Sequence, residues 1–149
     1  MSEGLELFEQ TGSRLTLVFM NVLCADALRR LGDHEQGLAR LAVAEQEMQR
    51  RAEALFAPEV WRVRGRILAE QNDVAGAAEA YRTAIECANS QGARALALRA
   101  ALDRYDLHAA DGRSDDDRAA VAEILTGFTQ GFEQPELARA AAIVRPASV

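Results

Sequence analysis

Two stretches of this chain superimpose without a gap when Asn21 is set on Trp61, and the superposition puts small residues on small and large on large. The first reads Asn21, Ala25, Leu28, Gly37, Leu41 and Ala44; the second reads Trp61, Gly65, Leu68, Ala77, Tyr81 and Ala84. A repeat of this period with helical apolar spacing belongs to stacks of helix pairs, where a large residue of one element fills the hole left by small residues of another. The pattern predicts an all-α chain that works as an interaction surface.

Composition points the same way. Apolar residues make up 49% of the chain but aromatic residues only 5%, so the core has to come from closely approaching helices rich in Ala. All 17 basic residues are Arg, and the net charge of −6 opposes nonspecific attraction to a phosphate backbone, so no nucleic-acid partner is expected. Cys24 and Cys87 stand far apart in sequence with no Cys or His at metal-ligand spacing, which reads as two small buried thiols. With neither a signal-peptide pattern at the N-terminus nor an apolar run near the ~18 residues of a membrane span, the expectation is a cytoplasmic protein with no membrane partner.

Along the chain, Leu15, Val18, Phe19, Val22, Leu23, Ala27 and Leu28 predict a helix that stops at Gly32-Asp33. Gly32 suits the left-handed position that ends a helix, and Asp33 suits the cap of the next. The return arm is predicted over about His34 to Phe56. Pro58 suits a first helical turn, Asn72-Asp73 repeat the stop-and-cap signal, and Val74 to Asn89 return. A third pair begins after Ser90-Gln91-Gly92 and turns at Asp111-Gly112; Ser114 with Asp117 forms a capping pattern for a helix running to about Thr129. A short last helix starts near Pro135, with Gly131 closing the preceding one and Phe128 and Phe132 covering the end of the stack. Gly4 to Gln10, with Leu5 and Phe8 on one face, reads as the end of a helix whose partner arm is missing.

The second repeat resembles the tetratricopeptide consensus, matching its aromatic, Gly, Leu, Ala, aromatic and Ala with Trp61, Gly65, Leu68, Ala77, Tyr81 and Ala84. The first departs at Asn21 and Gly37, and the third is degenerate, with Asp117 or Ala120 at the Ala position. The resemblance implies a right-handed α–α superhelix of about three helix pairs plus a C-terminal capping helix. Its segments are 1–12 (end of a truncated repeat), 14–56, 58–90, 93–130 and the cap 135–144. The chain also resembles the C-terminal repeat region of bacterial multidomain adenylate/guanylate cyclases and LuxR-type signalling ATPases, through GLELFEQTGSRL, EVWRVRGRIL, RALALRAAL and GFTQGFEQPEL. That likeness implies a non-catalytic scaffold within a signalling protein. The cyclase and ATPase residues themselves are absent, and a chain without Lys has no phosphate loop ending in Lys-Ser/Thr.

In tetratricopeptide repeats the first helix of each pair lines a groove. Carried over, groove positions fall on Phe19, Val22, Asp26, Arg29 and Arg30, on Glu59, Arg62, Arg66, Ala69 and Glu70, and on Arg99, Leu102 and Asp106. Two readings stand for the Arg residues: forks for an acidic segment of a partner, or members of pairs such as Arg62 and Arg66 with Glu59 and Glu70 on a solvated helix face. Trp61 reads as core. His34 and His108 are each alone, and Asp103, Asp106 and His108 spread over too wide an arc for a metal. No enzyme activity, cofactor or metal is expected. The expected partner is a protein or peptide, including other domains of a parent protein. The competing reading is a homodimer formed through an open N-terminal face of Leu5, Phe8, Leu15 and Phe19.

Overall fold

The computed structural model describes residues 15–51 and 54–145, and among them every regular element is helical. These are α1 (Leu15–Arg30), α2 (His34–Arg51), α3 (Ala57–Glu70), α4 (Val74–Ser90), α5 (Arg94–Ala109), α6 (Asp115–Leu125) and α7 (Pro135–Val144). Gly4 to Gln10, including Leu5 and Phe8, lies outside the described residues.

The hairpin turns set the architecture. Gly32, Asn72 and Gly112 recur at equal intervals along the chain and all take positive φ, at 79°, 63° and 67°. Each closes its helix with the same pair of backbone bonds. Gly32 N–H donates to Arg29 O and Asp33 N–H to Leu28 O, both at 2.9 Å; Asn72 and Asp73 donate to Ala69 O and Leu68 O, and Gly112 and Arg113 to Ala109 O and His108 O. This double closure satisfies carbonyls that a helix end otherwise leaves open. Asp33 and Asp73 then cap the return helices, their Oδ1 accepting from Gln36 N–H at 3.2 Å and Gly76 N–H at 2.9 Å.

The third turn departs from the expected capping. Ser114 makes no side-chain cap bond, and Asp117 is buried and turned to α5, its Oδ1 accepting from Arg104 Nε and its Oδ2 facing His108 Nδ1, both at 2.5 Å. The helix it begins stops at Leu125 rather than near Thr129: Gly127 and Phe128 N–H donate to carbonyls only three residues back, Ile124 O and Leu125 O, and Arg94 takes the Gly127 carbonyl at 2.9 Å. The return arm of the first pair is likewise shorter than expected, since Ala54 to Phe56 lie outside any helix, with Phe56 serving as the residue before α3. Pro58 and Pro135 both sit in first turns.

Each helix packs on its neighbours in sequence, and α1 also touches α3, α3 touches α5 and α5 touches α7. The even-numbered helices make no such contacts with one another among the described residues. One core gathers Val18, Val22 and Ala25 of α1, Leu41 and Ala44 of α2, and Val60, Val63 and Ile67 of α3. A second gathers Leu98, Ala101 and Leu102 of α5 with Val121 of α6 and Leu137 and Ala140 of α7, and Phe128 packs against it. Phe132 does not join the end of the stack; it is exposed. Trp61 is half-buried, with the Arg64 guanidinium 4.9 Å over its ring. Cys87 is half-buried, and Cys24, expected inside, is exposed because it lies on the outer face of α1.

Between α3 and α4 the small-on-large pattern becomes contact. A Cβ added to Gly65 would stand 2.6 Å from Tyr81 Cε1 and 2.7 Å from Cδ1. Gly65→Ala should therefore destabilise the chain by about 1–3 kcal/mol through overpacking, overriding a helix-propensity gain of up to ~1 kcal/mol. Urea unfolding measures it. A midpoint that stays or rises would show that the ring moves aside freely.

Candidate groove along the odd-numbered helices

The odd-numbered helices carry charged residues on the sides that face one another, because residues three and four apart share a helix face. The result is a series of ion pairs that bridges each step from one odd helix to the next. Arg29 of α1 pairs with Glu70 of α3, and His34 Nε2 lies 2.9 Å from the other Glu70 oxygen. Arg62 and Arg66 of α3 both reach Asp103 of α5. Arg99 of α5 faces Glu59 of α3 at 3.6 Å, and Asp106 of α5 pairs with Arg139 of α7.

Arg62 is the centre of this series. It is only 4% exposed. Its Nε and one terminal nitrogen donate to the two Glu59 oxygens at 2.9 and 2.8 Å, and the other terminal nitrogen donates to Asp103 Oδ2 at 3.0 Å. Burial alone lowers an Arg pKa, but here the bonds and charges of Glu59 and Asp103 outweigh it and hold the guanidinium charged above its usual range. Arg66 forks onto Asp103 with bonds of 2.8 and 3.0 Å. Burial, with Asp103 adding to it, also pushes the Tyr81 hydroxyl above the ordinary tyrosine range.

Arg29, Arg66, Ala69, Glu70 and Asp106, five of the positions expected in a groove, line one concavity of about 310 Å³, together with Tyr81 and Asp103. Asp26 lies beside it in α1, accepting from Arg29 Nε at 2.9 Å and Arg30 Nε at 3.0 Å. Burial raises its pKa and the two guanidinium groups lower it further, so the net shift is downward. Arg30 is largely exposed. Arg99 is partly exposed, and Ala69 is half-buried on the groove wall. Val22 and Leu102 are buried in the cores. Phe19 stays exposed, with its ring 5.5 Å from that of Phe56. Leu5, Phe8 and the Leu15 side chain lie outside what is described.

The pairing differs from the one the helix spacing suggests. Arg62 does bond to Glu59, one turn away, but Arg66 turns from Glu70 to Asp103 on the neighbouring helix. The bridging partners lie 33 to 41 residues away in sequence, so no local spacing reveals them. The Arg104–Asp117–His108 cluster was also missed, and its one signal was the Asp111-Gly112 turn that folds α6 onto α5. It borders a second concavity, of about 510 Å³, that includes Glu79 and Arg82. No three His, Cys, Asp or Glu side chains converge as metal ligands among the described residues, and no described helix is long and apolar enough to cross a membrane. No family model, curated protein or solved structure matches the chain.

Leaving a charge buried without its partners costs more than removing that charge when the groups it met keep other partners. Asp103→Ala, which strips Arg62 of one partner and Arg66 of its fork, should cost about 3 kcal/mol. Arg62→Leu should cost clearly less, because Asp103 keeps Arg66 and Glu59 keeps Arg99. Equal losses in urea unfolding would contradict the interior placement of Arg62. Asp26, whose folded pKa lies below its unfolded one, contributes stability above the ordinary aspartate range, and that contribution disappears as pH falls through the folded value. Asp26→Asn should therefore be less stable than the parent at neutral pH and match it in acid. A gap unchanged in acid would exclude the charge as its source.

Proposed function

We propose that this chain is a tetratricopeptide-like protein-recognition module, a right-handed solenoid of three helix pairs and a cap, acting without catalysis. The observation that carries the reading is the packing order. Odd-numbered helices contact one another while even-numbered ones do not, which is what a stack curved toward its first helices produces, with those helices on the concave side. The evenly spaced positive-φ turns at Gly32, Asn72 and Gly112 support a true structural period. In this reading the segments resembling bacterial cyclase and LuxR-type signalling proteins make the chain a regulatory arm of such a system, working in the cytoplasm.

The groove favours a ligand of a particular kind. Arg29, Arg62 and Arg66 already hold Glu70, Glu59 and Asp103, so an acidic peptide would have to displace intramolecular partners. A segment of mixed charge, pairing with the more exposed Arg30, Arg99 and Asp106 in exchange for their rim partners Asp26, Glu59 and Arg139 and laying small apolar residues along Ala69, fits at a smaller cost.

Selection from a displayed peptide library, followed by anisotropy titration, tests the reading. Selected peptides should carry both charges and lose about tenfold or more in affinity on Ala69→Arg, which fills the groove. Binding that ignores Ala69→Arg would remove the groove from the reading.

A further inference from the structure

Tyr81 carries a polar atom that the packing of the chain does not use. The residue is only 3% exposed, and the atoms that stand over Gly65 belong to its ring. Leu41 and Val121 hold the same place one period before and after, and both are fully buried, so an apolar side chain suffices for the core. The Tyr81 hydroxyl makes no hydrogen bond to any described residue. It is not sealed inside either: among the described residues, the buried side-chain polar atoms without a hydrogen bond are Glu45 Oε1 and Arg64 Nε. Tyr81 instead lines the concavity of about 310 Å³, where the charges of Asp103, Arg66, Arg62 and Arg29 act on its hydroxyl. A tyrosine buried to this degree normally has its hydroxyl satisfied. Here the missing partner has to enter through the concavity.

The lining sets the charge of that partner. Glu70, Asp103 and Asp106 supply three carboxylates against the two guanidinium groups of Arg29 and Arg66. Both guanidinium groups are already turned onto acids of the chain. An anion entering here would meet three like charges, whereas a cation meets an excess of acid. The remaining acceptors distinguish the two basic side chains. Asp103 is forked by Arg66, Glu70 is divided between Arg29 and His34, and Asp106 gives one oxygen to Arg139. None of these carboxylates has both oxygens open to a guanidinium fork. What is left is single lone pairs on separate oxygens, that of Tyr81 among them, and an ammonium with three independent donors matches such a set. Burial, with Asp103 adding to it, holds the Tyr81 hydroxyl neutral, so its oxygen accepts from an ammonium while keeping its own proton.

We propose that this concavity binds a primary ammonium, the side chain of a Lys in the segment that lies along the groove, with the Tyr81 oxygen, Glu70 and Asp106 as its acceptors. This rests on the groove reading above and narrows the partner to one with a Lys at a fixed place. The sequence contains no Lys, so neither an internal segment nor a second copy of it supplies that side chain.

The test begins with Tyr81→Phe in the full chain, which keeps the ring over Gly65 and removes only the hydroxyl. With no internal partner to lose, the variant should unfold in urea at the parent midpoint or above it. A clearly lower midpoint would reveal a partner inside the fold and overturn the proposal. Peptides selected on the groove should share a Lys at one position. Replacing that Lys by norleucine should weaken binding to the parent about tenfold or more, and binding to the chain carrying Tyr81→Phe and Asp106→Asn about threefold or less. Equal losses in the two chains would overturn the proposal, as would full rescue by Arg or selected peptides that lack Lys. Should no peptide be selected, Nα-acetyl-lysine amide at millimolar concentration decides. Saturable shifts of the Ala69 and Tyr81 amide resonances, absent with the norleucine amide, support the site, and unmoved resonances exclude it. Peptides that contain no Lys yet lose affinity on Ala69→Arg would keep the groove and remove the ammonium site, so the two ideas fail separately.

Discussion

The close approach of α3 and α4 at Gly65 is the contact on which the arrangement of the other helices depends. With the Tyr81 ring standing where a Cβ would be, the two helices draw nearer than an Ala-sized spacer permits. That proximity brings Ala77 and Ala84 into full burial. Small residues on one helix and a large one on the other make a fit of definite register, which generic apolar packing does not. The positive-φ turns at Gly32, Asn72 and Gly112 then fix where each return helix starts. Contact and turn together convert a sequence period into a spatial one, and the charged faces of α1, α3 and α5 are aligned as a consequence.

Alignment of those faces explains why a charge is buried at Arg62. Its counterparts in the repeats before and after, Val22 and Leu102, are also buried, so the position is interior in each helix pair. An Arg there is tolerated because Glu59 lies one turn away and Asp103 arrives from α5, giving the guanidinium a carboxylate on each side. A buried pair of this kind contributes little net stability against an apolar substitute, since desolvation offsets the attraction. What it does supply is direction. Guanidinium forks accept only a narrow range of geometries, and Asp103, shared by Arg62 and Arg66, locks the rotation of α5 against α3.

The parts of the fold that rest on short-range chemistry were legible in the sequence. Gly32-Asp33 and Asn72-Asp73 act through bonds to residues three to five positions away, and Pro58 and Pro135 act through their own rings, so each signal sits next to its effect. The same reasoning misread Asp117. A Ser-x-x-Asp pattern before a helix is a good cap on its own, but Arg104 and His108, set opposite by the fold, compete for that carboxylate and win because the site is buried. Arg66 was misassigned for the same reason: the nearest acid in sequence is Glu70, whereas the acid it meets in space is Asp103. For the candidate groove, residue membership was thus partly legible, through the periodicity that puts Arg66, Glu70 and Asp106 on related faces. Bonding was not, because it depends on how neighbouring helices are rotated.

A groove whose charges already satisfy one another imposes its own logic on recognition. Asp26, Glu59, Glu70, Asp103 and Asp106 nearly balance the Arg residues that they meet, so the surface has little net field with which to steer a strongly charged ligand. Discrimination then has to come from shape and from the penalty of breaking internal pairs. That penalty is graded by burial. Near Arg62 it is large, and around Arg30, Arg99 and Asp106, whose side chains stand in solvent, it is small. In the proposed module a bound segment would therefore exchange partners only along the rim of the groove, leaving the Arg62–Asp103 contact intact. The same contact that fixes the rotation of the helices in the free chain would then keep it fixed in the complex.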